Sequence, residues 1–378
     1  MNLDVCRFRE KLRPPRLFLS TRRKLDRLFR VKSLMDHTQT HTAHEFEHDS
    51  PLIGCRFDPS GRYVFAGAQD FKVWRFSVAD GAKIPLDVGA WTRAIAFVDE
   101  GKTVVTGGYD GKLVFAPVEG EGEQLLASRT IENAHDGWIR ALAVSPDGTT
   151  LASVGNDQIV RLWNVESGEL IQEMPGHESH IYNVAFHPSG TRLVTGDLKA
   201  NIRDWEIRTG RQLRGWQAES LTKFDKTFVA FIGGFRGMCF SKDGKKLACS
   251  GITAVTNAFA GVGNPSVMVY DWEKGEALAE QLSKGKLRGV AWGVALHPED
   301  LTIACVGGNG GHLLFWKPEE LEDSHRLKLT NDARDLDLSS DGISLATAHF
   351  DGKLRIHRME KKPEEEVIDS GLSGVESD

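Results

Sequence analysis

A group of potential metal ligands lies near the start of the chain, in the segment His44-Glu45-Phe46-Glu47-His48. The segment matches H-E-x-x-H, in which two histidines four residues apart on a helix bind zinc and the glutamate acts as general base. His37 and His41 continue the same spacing. This pattern would suit a metal-dependent hydrolase, because bound zinc activates a water molecule.

The residues around this segment favour a different structure. Asp49-Ser50-Pro51 follows directly, and a proline disfavours helical backbone at the residue before it. The stretch has no apolar stripe that would dock a helix, and no third ligand follows at a recognisable spacing. We therefore expect a strand with surface histidines, and no cofactor. A metal-dependent hydrolase or metal-binding protein that uses His44, Glu45 and His48 remains the alternative.

Other catalytic patterns are missing from the sequence, which has neither a G-x-S-x-G nucleophile elbow nor a G-x-x-x-x-G-K-[ST] phosphate loop. The five cysteines lie far apart without a C-x-x-C pair, which favours a reducing compartment, and we expect the cytoplasm. No apolar run reaches the roughly 18 residues of a transmembrane helix.

Charge is distributed unevenly along the chain, whose net value is −6. Residues 1–34 carry 11 Lys/Arg against 3 Asp/Glu, residues 35–358 carry a net −9, and residues 359–378 carry 2 Lys against 7 Asp/Glu. An acidic body disfavours binding to phosphate backbones, so we expect no specific nucleic-acid partner. The basic arm 1–34 is expected to be a disordered extension. A targeting or membrane-surface arm, or a ligand-binding arm, is the alternative.

One pattern returns along the chain: an apolar strand, a Pro/Asp-Gly turn, a second strand, and a third strand that ends in an aromatic residue. In the clearest copy, strands at Ile139–Val144, Leu151–Val154 and Ile159–Asn164 flank the turn Ser145-Pro146-Asp147-Gly148. The turn recurs at 58–61, 99–101, 187–190, 241–244, 297–300 and 340–342. Seven copies, mostly 40 to 55 residues apart, indicate a repeat architecture of antiparallel strands.

The clearest copy resembles a blade of the WD-repeat family, with a histidine before the first strand and a tryptophan ending the third. The resemblance implies an all-β, seven-bladed β-propeller of four-stranded antiparallel blades. It also implies a side-chain network of His135, Ser153, Asp157 and Trp163. Other copies match less well: the fourth has Lys199 in the Asp position, the first ends at Phe76, and the seventh keeps Asp351 but ends at His357.

The seventh copy stops near Arg358 after three strands, so its fourth strand must come from elsewhere. Aligning His48 with His177 places Thr40–Glu47 where a fourth strand falls before another blade. This N-terminal strand would close the ring and leave no sheet edge exposed. We expect a propeller over residues 35–358, followed by a disordered acidic tail over 359–378.

The resemblance implies a non-enzymatic scaffold or adaptor, a monomer or part of a larger complex, that binds one or more proteins at several points on its rim. Two insertions are the first candidate surfaces: the link 216–231, with Trp216, Phe224 and Phe228, and the segment 252–265, with Phe259. Exposed aromatic residues beside basic ones are typical of interaction hot spots, although Phe224 and Phe228 packing under their own loop is the alternative. Residues just before the first strands are a second candidate set: Trp91, Trp138, Tyr182, Phe235 and Arg334.

Overall fold

The computed structural model describes residues 35–120, 122–257, 262–285, 287–308 and 310–363. The basic arm 1–34 and most of the acidic tail lie outside these residues, so the disorder expected of them stays a prediction. The described chain contains 30 β-strands and short 3-10 turns at His37–Gln39, Asp99–Gly101 and Glu219–Leu221. No helix among the described residues is long and apolar enough to span a membrane.

The strands form seven four-stranded antiparallel sheets in a ring, the blades of a propeller. The first strand of the chain is β1 (His41–Glu47), and blade 1 then contains β2 (Leu52–Phe57), β3 (Tyr63–Ala68), β4 (Lys72–Ser77) and β5 (Lys83–Asp87). Blade 2 contains β6 (Thr92–Val98), β7 (Thr103–Gly108), β8 (Leu113–Pro117) and β9 (Arg129–Ile131). Blade 3 contains β10 (Ile139–Val144), β11 (Thr150–Gly155), β12 (Ile159–Asn164) and β13 (Leu170–Pro175).

The second half of the ring repeats this arrangement. Blade 4 contains β14 (Ile181–Phe186), β15 (Arg192–Asp197), β16 (Asn201–Glu206) and β17 (Gln212–Gln217), and a separate hairpin of β18 (Thr222–Asp225) and β19 (Ala230–Gly233) follows. Blade 5 contains β20 (Gly237–Phe240), β21 (Lys246–Asn257), β22 (Val262–Asp271) and β23 (Glu276–Leu282). Blade 6 contains β24 (Val290–His297), β25 (Leu301–Gly307), β26 (His312–Trp316) and β27 (His325–Lys328). Blade 7 contains β28 (Ala333–Leu338), β29 (Ser344–His349) and β30 (Lys353–Arg358).

The predicted turns join the first and second strands of each blade, and their side chains explain why. In blade 3 the Ser145 hydroxyl donates to the Asp147 carboxylate (2.6 Å) and accepts from the Thr150 backbone N–H (2.9 Å). Gly148 takes the left-handed conformation (φ +75°) that completes the turn, which glycine adopts without steric cost. These local bonds reverse the direction of the chain at the lower face of the ring, which is the face where the first strand of each blade ends.

The core lies between neighbouring blades. The second strand of each blade is almost entirely buried, as in β11 and β15, whereas the outermost strands β13 and β17 are largely exposed. Contacts between neighbouring blades are tight: a Cβ added at Gly67 of β3 in blade 1 would overlap the carbonyl oxygen of Thr92 in blade 2. The apolar residues of one blade therefore stabilise the next, and no blade buries its core alone.

Strand β1 closes the ring as predicted. It pairs antiparallel with β30, and the last sheet has the order β1-β30-β29-β28. At the C-terminal end of the ring, Met359, the first residue of the expected acidic tail, is fully buried and bonds through its backbone to Ile343 and Asp36. The beginning of the expected tail therefore belongs to the folded ring.

Both predicted insertions are hairpins on the upper face, where the first strand of each blade begins. The link 216–231 contains the hairpin β18–β19, and the segment 252–265 lengthens β21 and β22, so that Ile252 pairs with Pro265. The Lys223 ammonium donates to the Val255 carbonyl (2.6 Å) and ties the two hairpins together.

Candidate functional site

The H-E-x-x-H segment forms strand β1 and does not bring its three residues together. His44 is exposed and stacks on Phe46, and Glu45 binds Lys353 and, at 2.7 Å, Arg355. These cations hold the pKa of Glu45 below its usual value. His48 is buried against Asp70 in blade 1 (3.0 Å). Within the described residues, no group of three or more His, Cys, Asp or Glu side chains could hold a metal ion.

The network predicted for blade 3 is complete. The pKa of His135 is lowered by burial, so the ring is neutral: Nδ1–H donates to Asp157 (2.9 Å) and Nε2 accepts from the Ser153 hydroxyl (2.6 Å). The Ser153 oxygen in turn accepts from the Trp163 indole N–H (2.8 Å). Every polar group in this buried chain has a partner, as burial requires.

Blade 4 has the same network in a form that the sequence did not reveal. His177 Nδ1 donates to Asp197 (2.9 Å), His177 Nε2 accepts from Thr195 (2.7 Å), and Trp205 donates to Thr195 (2.8 Å). Lys199 occupies the aspartate position in the alignment, but Asp197, two residues earlier, supplies the carboxylate. The correct acid lies at the end of β15, where it also accepts from the backbone N–H of Asn201 (2.9 Å).

Blades 1 and 7 depart from the pattern in different ways. In blade 1 the Trp74 indole donates to Asp70 (2.9 Å), two residues before the Phe76 that the alignment selects. In blade 7, Asp351 binds Arg355 (2.8 Å) and contacts no histidine. The Thr347 hydroxyl there lies between the Nε2 atoms of His349 (2.7 Å) and His357 (2.8 Å). His357 thus takes the place that tryptophan has in blades 3 and 4.

The innermost strands carry a β-bulge at one equivalent position. Register shifts occur in six of the seven blades, and the residue skipped by each pairing is Ile53, Arg93, Arg140, Tyr182, Trp292 or Arg334. In blade 5, Arg236 lies at this position, immediately before β20. A bulge re-aims its side chain. Three bulge arginines and two bulge aromatic residues, together with Arg236, lie at the upper end of the central channel, and we call these six residues the mouth.

Cation–π contacts connect the mouth residues to one another. The Arg140 guanidinium lies 4.8 Å from the centre of the Tyr182 ring, and Arg236 lies 5.1 Å from the same ring. Arg236 and Arg334 lie 5.4 and 4.8 Å from the Trp292 ring. Such contacts contribute about 0.5–1 kcal/mol each at exposed sites and more when desolvated. They hold the guanidinium groups in place without neutralising them.

Aromatic side chains extend this surface outward from the mouth. Trp138 stacks on Tyr109 (4.2 Å, 9° between the rings) and lies 4.4 Å from the Arg140 guanidinium. Trp91 lies 6.3 Å from Tyr109 on its other side, and Trp91 and Trp138 are 38% and 40% exposed. The upper face therefore presents a continuous aromatic surface on blades 2 and 3.

Below the mouth, the channel continues as a small cavity. A cavity of about 250 Å³ at the mouth lies above a cavity of about 180 Å³ in the channel, and Arg93, Arg140 and Arg236 line both. Arg93 spans the channel, donating to the carbonyl of Trp292 at 2.9 Å and to that of Arg236 at 3.2 Å. Asp335, the acidic residue lining the lower cavity, is buried and binds Arg56 (2.8 Å). The mouth and the lower cavity therefore share three arginines, and the acidic side chain lies only in the lower cavity.

The structure separates the five predicted rim residues into three groups. Tyr182 and Arg334 belong to the mouth, and Trp91 and Trp138 lie beside it. Phe235 has no exposed surface and packs between blades 4 and 5, because Arg236, not Phe235, is at the bulge position. Trp216 is half-buried on β17, where its ring packs against Tyr270 and Trp272.

The predicted insertion residues Phe224 and Phe228 project from the β18–β19 hairpin, 44% and 55% exposed. Phe224 contacts Phe231 across the hairpin at 5.1 Å, and Val229 at its tip is 76% exposed. Phe259 lies outside the described residues. The hairpin therefore adds an apolar surface beside the mouth.

Sequence reasoning missed most of the mouth, including Arg93, Arg140, Arg236 and Trp292. The available signal was the recurrence of arginine at one repeat position in blades 2, 3, 5 and 7. In blades 2, 3 and 5 the sequence analysis selected a residue one or two positions before the mouth residue. The bulge that determines which residue faces the channel cannot be recognised in the sequence.

A family model for "WD domain, G-beta repeat" matches residues 37–75, 127–164 and 168–203. These segments contain β1 and most of the first three strands of blade 1, the last strand of blade 2 with the first three strands of blade 3, and the last strand of blade 3 with the first two strands of blade 4. Blades 1, 3 and 4 are those in which a histidine binds an aspartate. The chain is a WD-repeat β-propeller. Within the described residues, the remaining four blades of this WD-repeat ring keep the four-stranded sheet without a histidine–aspartate ion pair, and blade 7 has the His349–Thr347–His357 network instead.

Several known proteins are similar to parts of this WD-repeat chain. Protein groucho of Drosophila melanogaster is 28% identical over 160 residues, which cover 40% of this chain and 21% of that protein. Transducin-like enhancer protein 2 of Mus musculus is 25% identical over 178 residues, covering 45% and 23%. Eukaryotic translation initiation factor 3 subunit I of Pyricularia oryzae is 32% identical over 91 residues, covering 24% and 27%. The chain thus spans about a quarter of the length of these relatives.

Proposed function

We propose that this protein is a non-enzymatic, cytoplasmic scaffold or adaptor that binds one or more partner proteins on the upper face of its propeller. The observation that carries the proposal is one equivalent position near the start of the innermost strands, a β-bulge in five blades, which gathers arginine and aromatic side chains from six blades at the mouth. Arginine, tryptophan and tyrosine are the residues most enriched in binding hot spots. One similar protein, subunit I of translation initiation factor 3, is by its name part of a larger assembly.

The geometry supports binding at several points. The mouth, the Trp91–Trp138 surface and the β18–β19 hairpin lie on the same face, so one partner could contact all three. Exposed aromatic side chains on rigid strands bind with little loss of conformational entropy. The second candidate function, a metal-dependent hydrolase at His44, Glu45 and His48, has no supporting geometry, because strand β1 separates these side chains.

The test is affinity capture from a lysate of the source cells with a double variant, Trp138→Ala/Tyr182→Ala. Partners bound by the unchanged protein should be lost from this variant. The matched control is Leu170→Ala/Ile171→Ala, which removes two exposed apolar side chains (46% and 54%) from outer strand β13. The control should retain the partners. Equal capture by both variants would place the binding surface elsewhere.

A further inference from the structure

Three of the four mouth arginines lack a carboxylate partner, whereas Arg93 lies 3.7 Å from Asp335. Among the described residues, Arg140, Arg236 and Arg334 form no ion pair with a carboxylate within 4 Å, and Arg140 instead donates to the amide oxygen of Asn156 (2.9 Å). The Nε atoms of Arg236 and Arg334 are buried and have no hydrogen-bond partner. The three arginine residues are only half-buried, but cations partly removed from water are normally paired, so unpaired ones around the mouth favour an anionic ligand.

Electrostatics agree with this geometry. Burial lowers the pKa of Arg236 to about 10, an effect that the nearby charges of Arg93 and Arg140 increase. Burial likewise lowers the pKa of Arg334; the Asp332 carboxylate opposes this effect and Arg93 adds to it. Both groups remain charged at pH 7 but are held in an unfavourable environment. An anion between them would offset part of the desolvation and the mutual repulsion.

The surroundings restrict the kind of anion. Arg93 crosses the channel below the mouth, and the cavity above it lies at the upper face. The body of the protein, residues 35–358, carries a net −9 and repels extended polyanions such as nucleic acids. A single carboxylate reaches the arginines while neighbouring apolar groups contact Trp138 or the β18–β19 hairpin. An acidic peptide segment with apolar flanking residues has this chemistry.

We propose that the mouth binds an acidic segment of a partner protein, with an Asp or Glu carboxylate held between Arg140, Arg236 and Arg334. This inference rests on the proposed scaffold function and specifies its ligand. The guanidinium groups supply charge-assisted, bidentate hydrogen bonds to the carboxylate, and the aromatic rings that flank them contact the adjacent side chains.

The experiment selects ligands from a phage-displayed library of random 12-residue peptides and measures binding of the selected, fluorescein-labelled peptides by anisotropy at 150 mM NaCl. The selected peptides should be enriched in Asp and Glu next to apolar residues. Arg140→Gln/Arg236→Gln should weaken binding at least about tenfold, since each charged hydrogen bond contributes about 1.5 kcal/mol or more. Arg208→Gln/Arg211→Gln, an equal charge change at exposed lower-face positions, should leave affinity within about twofold.

A further variant separates loss of binding from loss of folding. Arg140→Lys/Arg236→Lys keeps both charges without the bidentate geometry, so it should bind more tightly than the Gln variant and more weakly than the unchanged protein. Selected peptides without excess Asp or Glu, or equal affinities for the two Gln variants, would overturn the proposal. The proposal would also be overturned if inorganic phosphate or a 12-nucleotide single-stranded DNA displaced the labelled peptide and bound the mouth more tightly than the selected peptides do.

The two proposals can fail separately. If Arg140→Gln/Arg236→Gln still captures every partner that Trp138→Ala/Tyr182→Ala loses, the acidic ligand is wrong and the scaffold function stands. If neither variant loses a partner, the upper face is not the docking face and both proposals fail.

Discussion

Two buried histidines in blade 7 should make the protein markedly less stable in mild acid. His349 donates through Nδ1–H to the Asn331 carbonyl (3.1 Å), so its Nε2 must accept from the Thr347 hydroxyl. The Thr347 oxygen then accepts from His357 Nε2–H, and His357 Nδ1 accepts from Thr42 of β1 (3.1 Å). Both rings are neutral in this network. A proton added to His349 Nε2 or to His357 Nδ1 would point at a threonine hydroxyl that already donates to that nitrogen.

Burial lowers the pKa of His349 to about 4 and that of His357 to about 3. In the unfolded chain both have the usual pKa of about 6.5, so the unfolded state binds more protons as the pH falls below 6.5. Stability is therefore lost as pH falls from about 6.5 toward 4. At pH 5 each histidine costs about 2 kcal/mol relative to neutral pH, or about 4 kcal/mol for the pair.

The variant His357→Trp tests this reasoning, because Trp163 and Trp205 fill the equivalent position in blades 3 and 4 with an N–H donor. The free energy of unfolding, measured by urea denaturation at pH 7.5 and pH 5, should fall by about 2 kcal/mol less in the variant than in the unchanged protein. Any packing cost of the larger ring shifts both values equally. His44→Gln, at an exposed position on β1, is the control and should leave the difference between the two pH values unchanged.

Two results would refute the explanation. One is an equal loss of stability in acid for the unchanged protein and His357→Trp. The other is an imidazole NMR titration of the folded protein in which His357 takes up its proton near pH 6.5.

Two further predictions concern the contacts that hold the blades. Ser153→Ala should destabilise the protein by about 3 kcal/mol in urea denaturation, because it leaves the His135 ring and an indole N–H without their common partner. Thr106→Val also removes a hydroxyl, but one with a weak 3.4 Å contact, and should cost under about 1 kcal/mol; similar losses would contradict the network's role. Gly67→Ala should cost about 2–3 kcal/mol because its Cβ would overlap the next blade, whereas Gly89→Ala, with no atom within 4 Å and φ +72°, should cost about 1 kcal/mol. Equal urea midpoints for the two glycine variants would contradict the tight contact between blades.

The fold was predictable because its determinants are local and repeated. The turn between the first two strands forms from side-chain bonds within about five residues, as at Ser145 and Asp147 of blade 3. Seven Pro/Asp-Gly-type turns at a regular spacing therefore specify seven blades. The closing strand was predictable from the number of strands in each copy. The last copy lacks a fourth strand, and the segment before blade 1 aligns with the fourth strand of another blade. The blade 3 network was also predictable, because all four of its residues occupy their usual spacing.

Other features depend on how strands from distant parts of the chain meet. Asp197 replaces the residue at 199 because the end of β15 lies nearer to the His177 ring, and His349 acts from within β29 because Thr347 lies beside it in the folded sheet. Such substitutions conserve a contact in space without conserving the spacing in sequence. Alignment by spacing therefore selected Lys199 and Asp351.

The sequence by itself determined the number of blades, the strand order within them and the closure of the ring, because hydrophobic alternation and turn chemistry act between near neighbours. Only the tertiary structure decided which side chains meet at the axis. Arg93 and Arg334 are 241 residues apart, yet Arg93 donates to the Arg334 carbonyl (3.4 Å). This contact requires a bulge in each of two distant strands, because a bulge changes the direction of a side chain so that it faces the channel. It also requires the curvature of the whole ring, which brings the two strands together.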